Sequence, residues 1–229
     1  MAQKRVAYWY TLQAGERPTA LDVLKRAKEE LFHDLSFRYG CRNQRCGLCT
    51  LEINGRAALA CRSEVKDGDT LGPLRALPLI RDFVVDRSGI EEKLRGLGRG
   101  PARGGGGPSS SPSASFVSLT RCIACYACLN GCPLQGESTG VRPSNSLLPE
   151  QADRLKTDHH PRGDPHTFLR LRRIMEDREG PPGLAEDALS WAVKLGLETC
   201  ASCGKCRCLM GINLMDEVIH PLLRAAAIV

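Results

Sequence analysis

Residues 39–61 read YGCRNQRCGLCTLEINGRAALAC, and the cysteine spacing in this stretch decides how the first part of the chain folds. Cys41, Cys46 and Cys49 form C-x4-C-x2-C, and eleven residues separate Cys49 from Cys61. This is the plant-type [2Fe–2S] spacing. Three thiolates on one tight loop wrap the cluster, and the fourth arrives from the far end of a hairpin. The hairpin is legible: Cys49, Leu51 and Ile53 point one way, and Asn54-Gly55 supplies a turn with positive φ. Gly40 and Gly47 let the backbone approach the sulfides and aim N–H groups at them, which stabilises the extra electron of a reduced cluster. A zinc site would place its ligands as two CxxC-like pairs instead.

The remaining eight cysteines make two more groups of four. CIACYACLNGCP (122–133) is C-x2-C-x2-C-x3-C-P, the bacterial ferredoxin run, with Cys122, Cys125, Cys128 and Cys132. CASCGKCRC (200–208) repeats its first three positions with Cys200, Cys203 and Cys206, then adds Cys208. Three cysteines of such a run cap three irons of a cubane, and the fourth points to the neighbouring cluster. Cys208 is therefore expected to complete the first cubane with Cys122, Cys125 and Cys128, and Cys132 the second with Cys200, Cys203 and Cys206. The position that matches Cys132 is Met210, whose neutral thioether balances charge poorly, and Cys208 stands two residues early. It reaches its cluster only if the backbone there is not regular helix. Two outcomes stay open: a second [4Fe–4S] cluster, or a [3Fe–4S] cluster with Cys208 a bystander.

Composition agrees with metal centres. Aromatics are scarce at 5%, so the core needs other support. MAQKRVAYWYTLQ has no apolar signal region, and cysteines two residues apart pair badly with each other, so a reducing compartment is expected rather than disulfides. No apolar run approaches the ~20 residues that span a bilayer, so membrane work requires an anchor on another chain. The formal charge of +6 does not imply nucleic acid. Each four-thiolate oxidised cluster carries roughly −2, and no arginine-rich stripe with aromatics is present. His33, His159, His160, His166 and His220 lack ligand spacing and suit surface or capping roles. No catalytic constellation stands out.

RGLGRGPARGGGGPSSSPSAS (95–115) has almost nothing to bury and reads as linker. It divides the chain into domains 1–97 and 116–229, joined by 98–115. In the first, RVAYWYTL (5–12) reads as a strand, TALDVLKRAKEEL as a helix capped by Thr19 with Asp22 three residues on, and KDGDTLGPL as a turn and strand. The second reads as helical. Asp164-Pro165 opens a helix with Phe168, Leu171, Ile174 and Met175 apolar. Leu184, Ala188, Trp191 and Leu195 mark another. Asn213 caps a last one that Pro221 should end or kink.

The first domain, through CGLC, INGRAALAC and LPLIRDFVVDRS, resembles the N-terminal domain of the iron–sulfur subunit of succinate dehydrogenase and fumarate reductase. The two helical cysteine runs resemble that family's C-terminal ferredoxin domain. The resemblance implies an α+β fold: an N-terminal β-grasp plant-type [2Fe–2S] ferredoxin domain followed by an all-α bacterial-ferredoxin-like domain. The chain departs from the family at three places. Arg42-Asn43-Gln44-Arg45 lacks the usual glycine. The third group has a CxxCxxC start, as in heterodisulfide-reductase-type subunits. The family's quinone-binding Trp after Cys-Pro and His after the first cysteine of the third group are absent, Ala201 standing in the latter place.

What the resemblance implies is an electron-transfer subunit, itself non-catalytic. It would relay single electrons between a FAD-containing flavoprotein and a quinone site, held peripherally at the cytoplasmic face of the membrane by anchor subunits. One alternative is a heterodisulfide-reductase-like or thiol-linked fumarate reductase, and another is a zinc-scaffolded interaction module.

Overall fold

The computed structural model describes residues 9–13, 15–94, 111–135, 162–178 and 180–228. Backbone packing gathers them into two compact units. One holds the residues up to Arg87 together with Ile123–Asn130. The other holds the described residues of Ser88–Cys122 and those after Asn130. Most of the linker lies outside the described residues, and its last two residues open a helix.

In the first unit, helix α1 (Ala20–Glu30) begins at a complete capping box. Thr19 Oγ1 accepts from the Asp22 N–H, and Asp22 Oδ2 accepts from the Thr19 N–H, each at 3.2 Å. Two orphan donors at the helix start are thereby satisfied. Its inner face buries Leu21, Val23, Leu24 and Ala27. Strands β1 (Thr50–Ile53) and β2 (Arg56–Leu59) form the expected hairpin, with Asn54 and Gly55 at φ 50° and 77°. Strand β3 (Leu71–Gly72) pairs antiparallel with the other edge of β1. Strands β4 (Leu79–Arg81) and β5 (Val84–Val85) form a separate two-stranded ribbon. The strand expected at 5–12 is not seen where it can be judged: residues 9–12 are irregular, and 5–8 lie outside the described residues.

Every regular element among the described residues of the second unit is helical. Helix α2 (Ser88–Glu92) and helix α3 (Ala114–Leu119) are short. Helix α4 (Pro165–Glu176) starts with Asp164 as cap and Pro165 in the first turn, where a missing N–H does no harm. It buries Phe168, Leu169 and Leu171, while Ile174 and Met175 are only half-buried. Helix α5 (Leu184–Lys194) packs Ala188 and Ala192 inward. The last helical stretch corrects one expectation. Pro221 does not end it: Met215–Ile219 widen into a π turn that leads directly into α6 (His220–Ala225). A proline has no N–H to give to the turn before it, and a local change of helical repeat absorbs the vacancy. His166 is a second correction. It is buried on α4 at 3% exposure rather than on the surface; burial lowers its pKa below the usual imidazole range.

Asp164 is fully buried and does three jobs. It accepts from the Thr167 N–H at 2.8 Å and the Thr167 hydroxyl at 2.6 Å, and it pairs with Lys93 Nζ at 2.8 Å. The Lys93 carbonyl in turn accepts from Trp191 Nε1 at 2.7 Å. Removing one member of a buried pair leaves the other charge uncompensated. Lys93→Ala is therefore expected to destabilise the protein by about 3 kcal/mol, measured by denaturant unfolding under anaerobic conditions. Lys93→Arg is expected to recover part of the loss. No described helix is long and apolar enough to cross a membrane.

Candidate metal centres

The first cysteine group is assembled by the hairpin. The Ala60 N–H donates to the Cys49 carbonyl at 3.1 Å, and the Ala60 carbonyl accepts from Leu21 on α1 at 3.0 Å. This holds Cys61 beside Cys49, at 9% and 6% exposure. Burial pushes the Cys49 thiol up to about 11, and the Cys61 and Cys46 thiols add to it. Cys41 is the opposite case. It is exposed, and the backbone N–H groups of Asn43 and Arg45 point at its sulfur from 3.5 and 3.1 Å. These donors bring its thiol down to about 7.

The loop keeps left-handed backbone where the family glycine is missing. Arg42 and Gln44 sit at φ 56° and 64°, each at roughly 1 kcal/mol of steric penalty. The Asn43 N–H between the two and the Arg45 N–H just beyond them point at the Cys41 sulfur. Gly47, at φ 64°, has a different duty. A Cβ there would stand 2.6 Å from the Ile123 carbonyl oxygen and 2.8 Å from Cys125 Cα. The second cysteine run thus lies directly against the first ligand loop.

Two side chains that sequence reading passed over secure that contact. Glu52 reads as the outward residue of an alternating strand, yet it is 3% exposed. It accepts from Arg75 N and Nε at 2.8 and 2.7 Å, and from Asn130 Nδ2 at 2.8 Å. Arg87 donates through Nη1 and Nη2 to the carbonyls of Gly47 and Leu48 at 3.3 and 3.1 Å. Its guanidinium also lies over the Tyr126 ring, 5.4 Å from the centroid. Nothing local marks either residue. The signal lies in Ile123–Asn130, which is remote in sequence and covers the face on which Glu52 points.

Within that segment Cys125 is buried and Cys128 half-buried. Ala124 and Tyr126 take left-handed conformations, at φ 50° and 59°. Gly204 occupies the place in the third group that Tyr126 occupies in the second, and it has φ 61°. The two CxxCxxC runs share a left-handed residue after their second cysteine, but Ala124 is left-handed as well, whereas its counterpart Ser202 is not. Glycine adopts the left-handed conformation freely, whereas Tyr126 is held there by burial and Arg87.

In the second unit Cys132 comes together with the third group. Burial pushes Cys200 up to about 12, with Cys206, Cys132 and Cys203 adding to it. Burial likewise takes Cys206 to about 11, with Cys132 and Cys203 behind it. Those protons leave when metal binds, so loading releases acid. Cys208 lies in irregular backbone. The Met210 N–H donates to its sulfur at 3.3 Å. Arg121 Nη2 donates to the Met210 carbonyl at 2.6 Å, which ties the Cys208 turn to the residue before Cys122.

This donor set fits iron–sulfur chemistry. Buried thiols, N–H groups aimed at sulfur and an Arg87 Nε with no hydrogen-bond partner among the described residues suit an anionic, sulfur-rich core. Among the described residues no three His, Cys, Asp or Glu side chains converge on a single ion.

Residues 1–92 match the family model of the 2Fe-2S iron-sulfur cluster binding domain. One component of the fumarate reductase (CoM/CoB) of Methanothermobacter marburgensis is 32% identical over 218 residues, covering 93% of this chain. The chain spans 39% of that relative's length. The fumarate reductase iron–sulfur subunit of Escherichia coli is 30% identical over 162 residues, 66% of each chain. A chain of the Mycobacterium smegmatis Sdh1 complex in the apo form shares the fold, with a TM-score of 0.71 at 23% identity, over 95% of this chain and 88% of that one. The protein is an iron–sulfur protein homologous to the iron–sulfur subunits of fumarate reductase and succinate dehydrogenase.

Proposed function

We propose that this chain is the electron wire of a succinate dehydrogenase/fumarate reductase-type complex. It relays single electrons between a FAD-containing flavoprotein and a quinone site, and partner subunits hold it peripherally at the cytoplasmic face of the membrane. The chain holds [2Fe–2S] through Cys41, Cys46, Cys49 and Cys61. Cys122, Cys125, Cys128 and Cys208 hold a [4Fe–4S] cluster, and Cys132, Cys200, Cys203 and Cys206 a second. Its sequence domains are a β-grasp plant-type ferredoxin at 1–97 and a helical ferredoxin at 116–229. When bound, such clusters accept and release one electron each; the chain's residues position them and set their potentials.

The observation that carries this reading is the close approach at Gly47, which sets a ligand loop of the first group against Cys125 of the second. The company of Cys132 with Cys200, Cys203 and Cys206 supports the exchange of fourth ligands. A second reading, thiol-linked fumarate reductase, is favoured by the CxxCxxC start of the third group and by the Methanothermobacter relative, whose name specifies fumarate reductase (CoM/CoB). Co-purification separates the two: a FAD-bearing partner that reduces or oxidises quinone supports the first, and thiol-dependent turnover the second.

Anaerobically isolated protein is expected to hold about 10 irons per chain. Stoichiometric zinc with little iron would overturn the reading. Cys208→Ala is expected to turn one [4Fe–4S] signal into a [3Fe–4S] signal, by Mössbauer and EPR spectroscopy. A [3Fe–4S] signal already strong in untreated wild type, and unchanged in the variant, makes Cys208 a bystander.

A further inference from the structure

We propose that Arg87 is a positioning residue that raises the reduction potentials of two clusters together, the one Cys49 helps to hold and the one Cys125 helps to hold. The inference rests on the cluster assignment above and adds a residue outside all three cysteine groups. Arg87 follows the Val84–Val85 strand, and its head is fixed from two sides. The carbonyls of Gly47 and Leu48, between Cys46 and Cys49, take two of its N–H donors. The Tyr126 ring, next to Cys125, takes its face. Its Nε–H is buried with no hydrogen-bond partner among the described residues.

A cation held this way acts on both neighbours. The guanidinium is held against the loop between Cys46 and Cys49 and against the ring next to Cys125, so its charge stands beside the ligand loops of both clusters. The coupling is reciprocal: a cation favoured by an added negative charge favours that charge in return. Each reduction adds one electron to a cluster that is already anionic, so the guanidinium stabilises the reduced form, and burial limits solvent screening. The groups that act most strongly on the guanidinium include no carboxylate to cancel it, and Arg38, the other cation among them, has the same sign. A shift of both potentials in step leaves the drop between the two clusters unchanged and moves the pair together relative to their electron donors and acceptors.

The test is an EPR-monitored redox titration of the purified complex, wild type beside Arg87→Gln and Arg87→Lys. Arg87→Gln is expected to lower the one-electron reduction constant of both clusters roughly tenfold, about 59 mV each. Arg87→Lys keeps the charge and is expected to stay within about threefold of wild type. A shift confined to one cluster, or none in either, overturns the proposal. If Arg87→Gln fails to retain its clusters, the lysine variant decides. Retention near wild-type potentials supports the role of charge, whereas loss of clusters or an equal drop makes Arg87 a structural residue. Absence of both EPR signals from wild type would instead overturn the cluster assignment.

Discussion

Cys61→Ser is expected to abolish the native [2Fe–2S] EPR signal and lower the iron content by about 2 per chain, leaving the cubane signals in place. Cys61, the ligand proposed to arrive from the return strand, lies beside Cys49 and is 9% exposed. Serine fits the space but offers a harder oxygen ligand of much higher pKa, which matches iron–sulfur chemistry poorly. The other eight cysteines draw no ligand from the first group in the assignment proposed here, so their clusters should persist. If all signals bleach while far-UV circular dichroism keeps its native shape, the groups share ligands and the assignment is wrong.

Gly47→Ala is expected to destabilise the protein by about 3 kcal/mol or more, through two additive terms. One is the left-handed backbone at φ 64°. The other is contact of the new methyl with main-chain atoms, at 2.6 Å from the Ile123 carbonyl oxygen and 2.8 Å from Cys125 Cα, which cannot rotate away. Gly68→Ala isolates the first term. Gly68 has φ 86° and open space around it, so its variant should lose only about 1 kcal/mol. Anaerobic thermal unfolding of the pair gives the difference. Equal losses would mean that the close approach at Gly47 has no energetic weight.

The sequence made legible what is encoded locally. The capping box at Thr19, the Asn54-Gly55 turn and the apolar stripe of α5 each depend on residues within a few positions of one another. Glu52 and Arg87 were hidden because their partners come from another part of the chain. Glu52 alternates correctly as an outward residue and is buried only because Asn130, 78 residues on, packs over it. Pro221 misled for a related reason. Its local rule is right about the missing N–H, but buried Val218, Ile219, Leu222 and Leu223 anchor both sides of it, and the helix changes pitch instead of stopping.

The inclusion of Ile123–Asn130 in the first unit has a consequence for how the protein comes into being. Residues 15–87 can emerge from the ribosome and form α1 and the hairpin, but Glu52 then has an empty place beside it until Asn130 has been synthesised. At translation speeds of about 5–20 residues per second, that delay lasts several seconds, far longer than a hairpin needs to close. The nascent N-terminal portion therefore waits in an incomplete form, with the face meant for Tyr126 and Leu129 open to water. A holding chaperone, or early delivery of iron and sulfide to Cys41, Cys46, Cys49 and Cys61, would protect it during this interval.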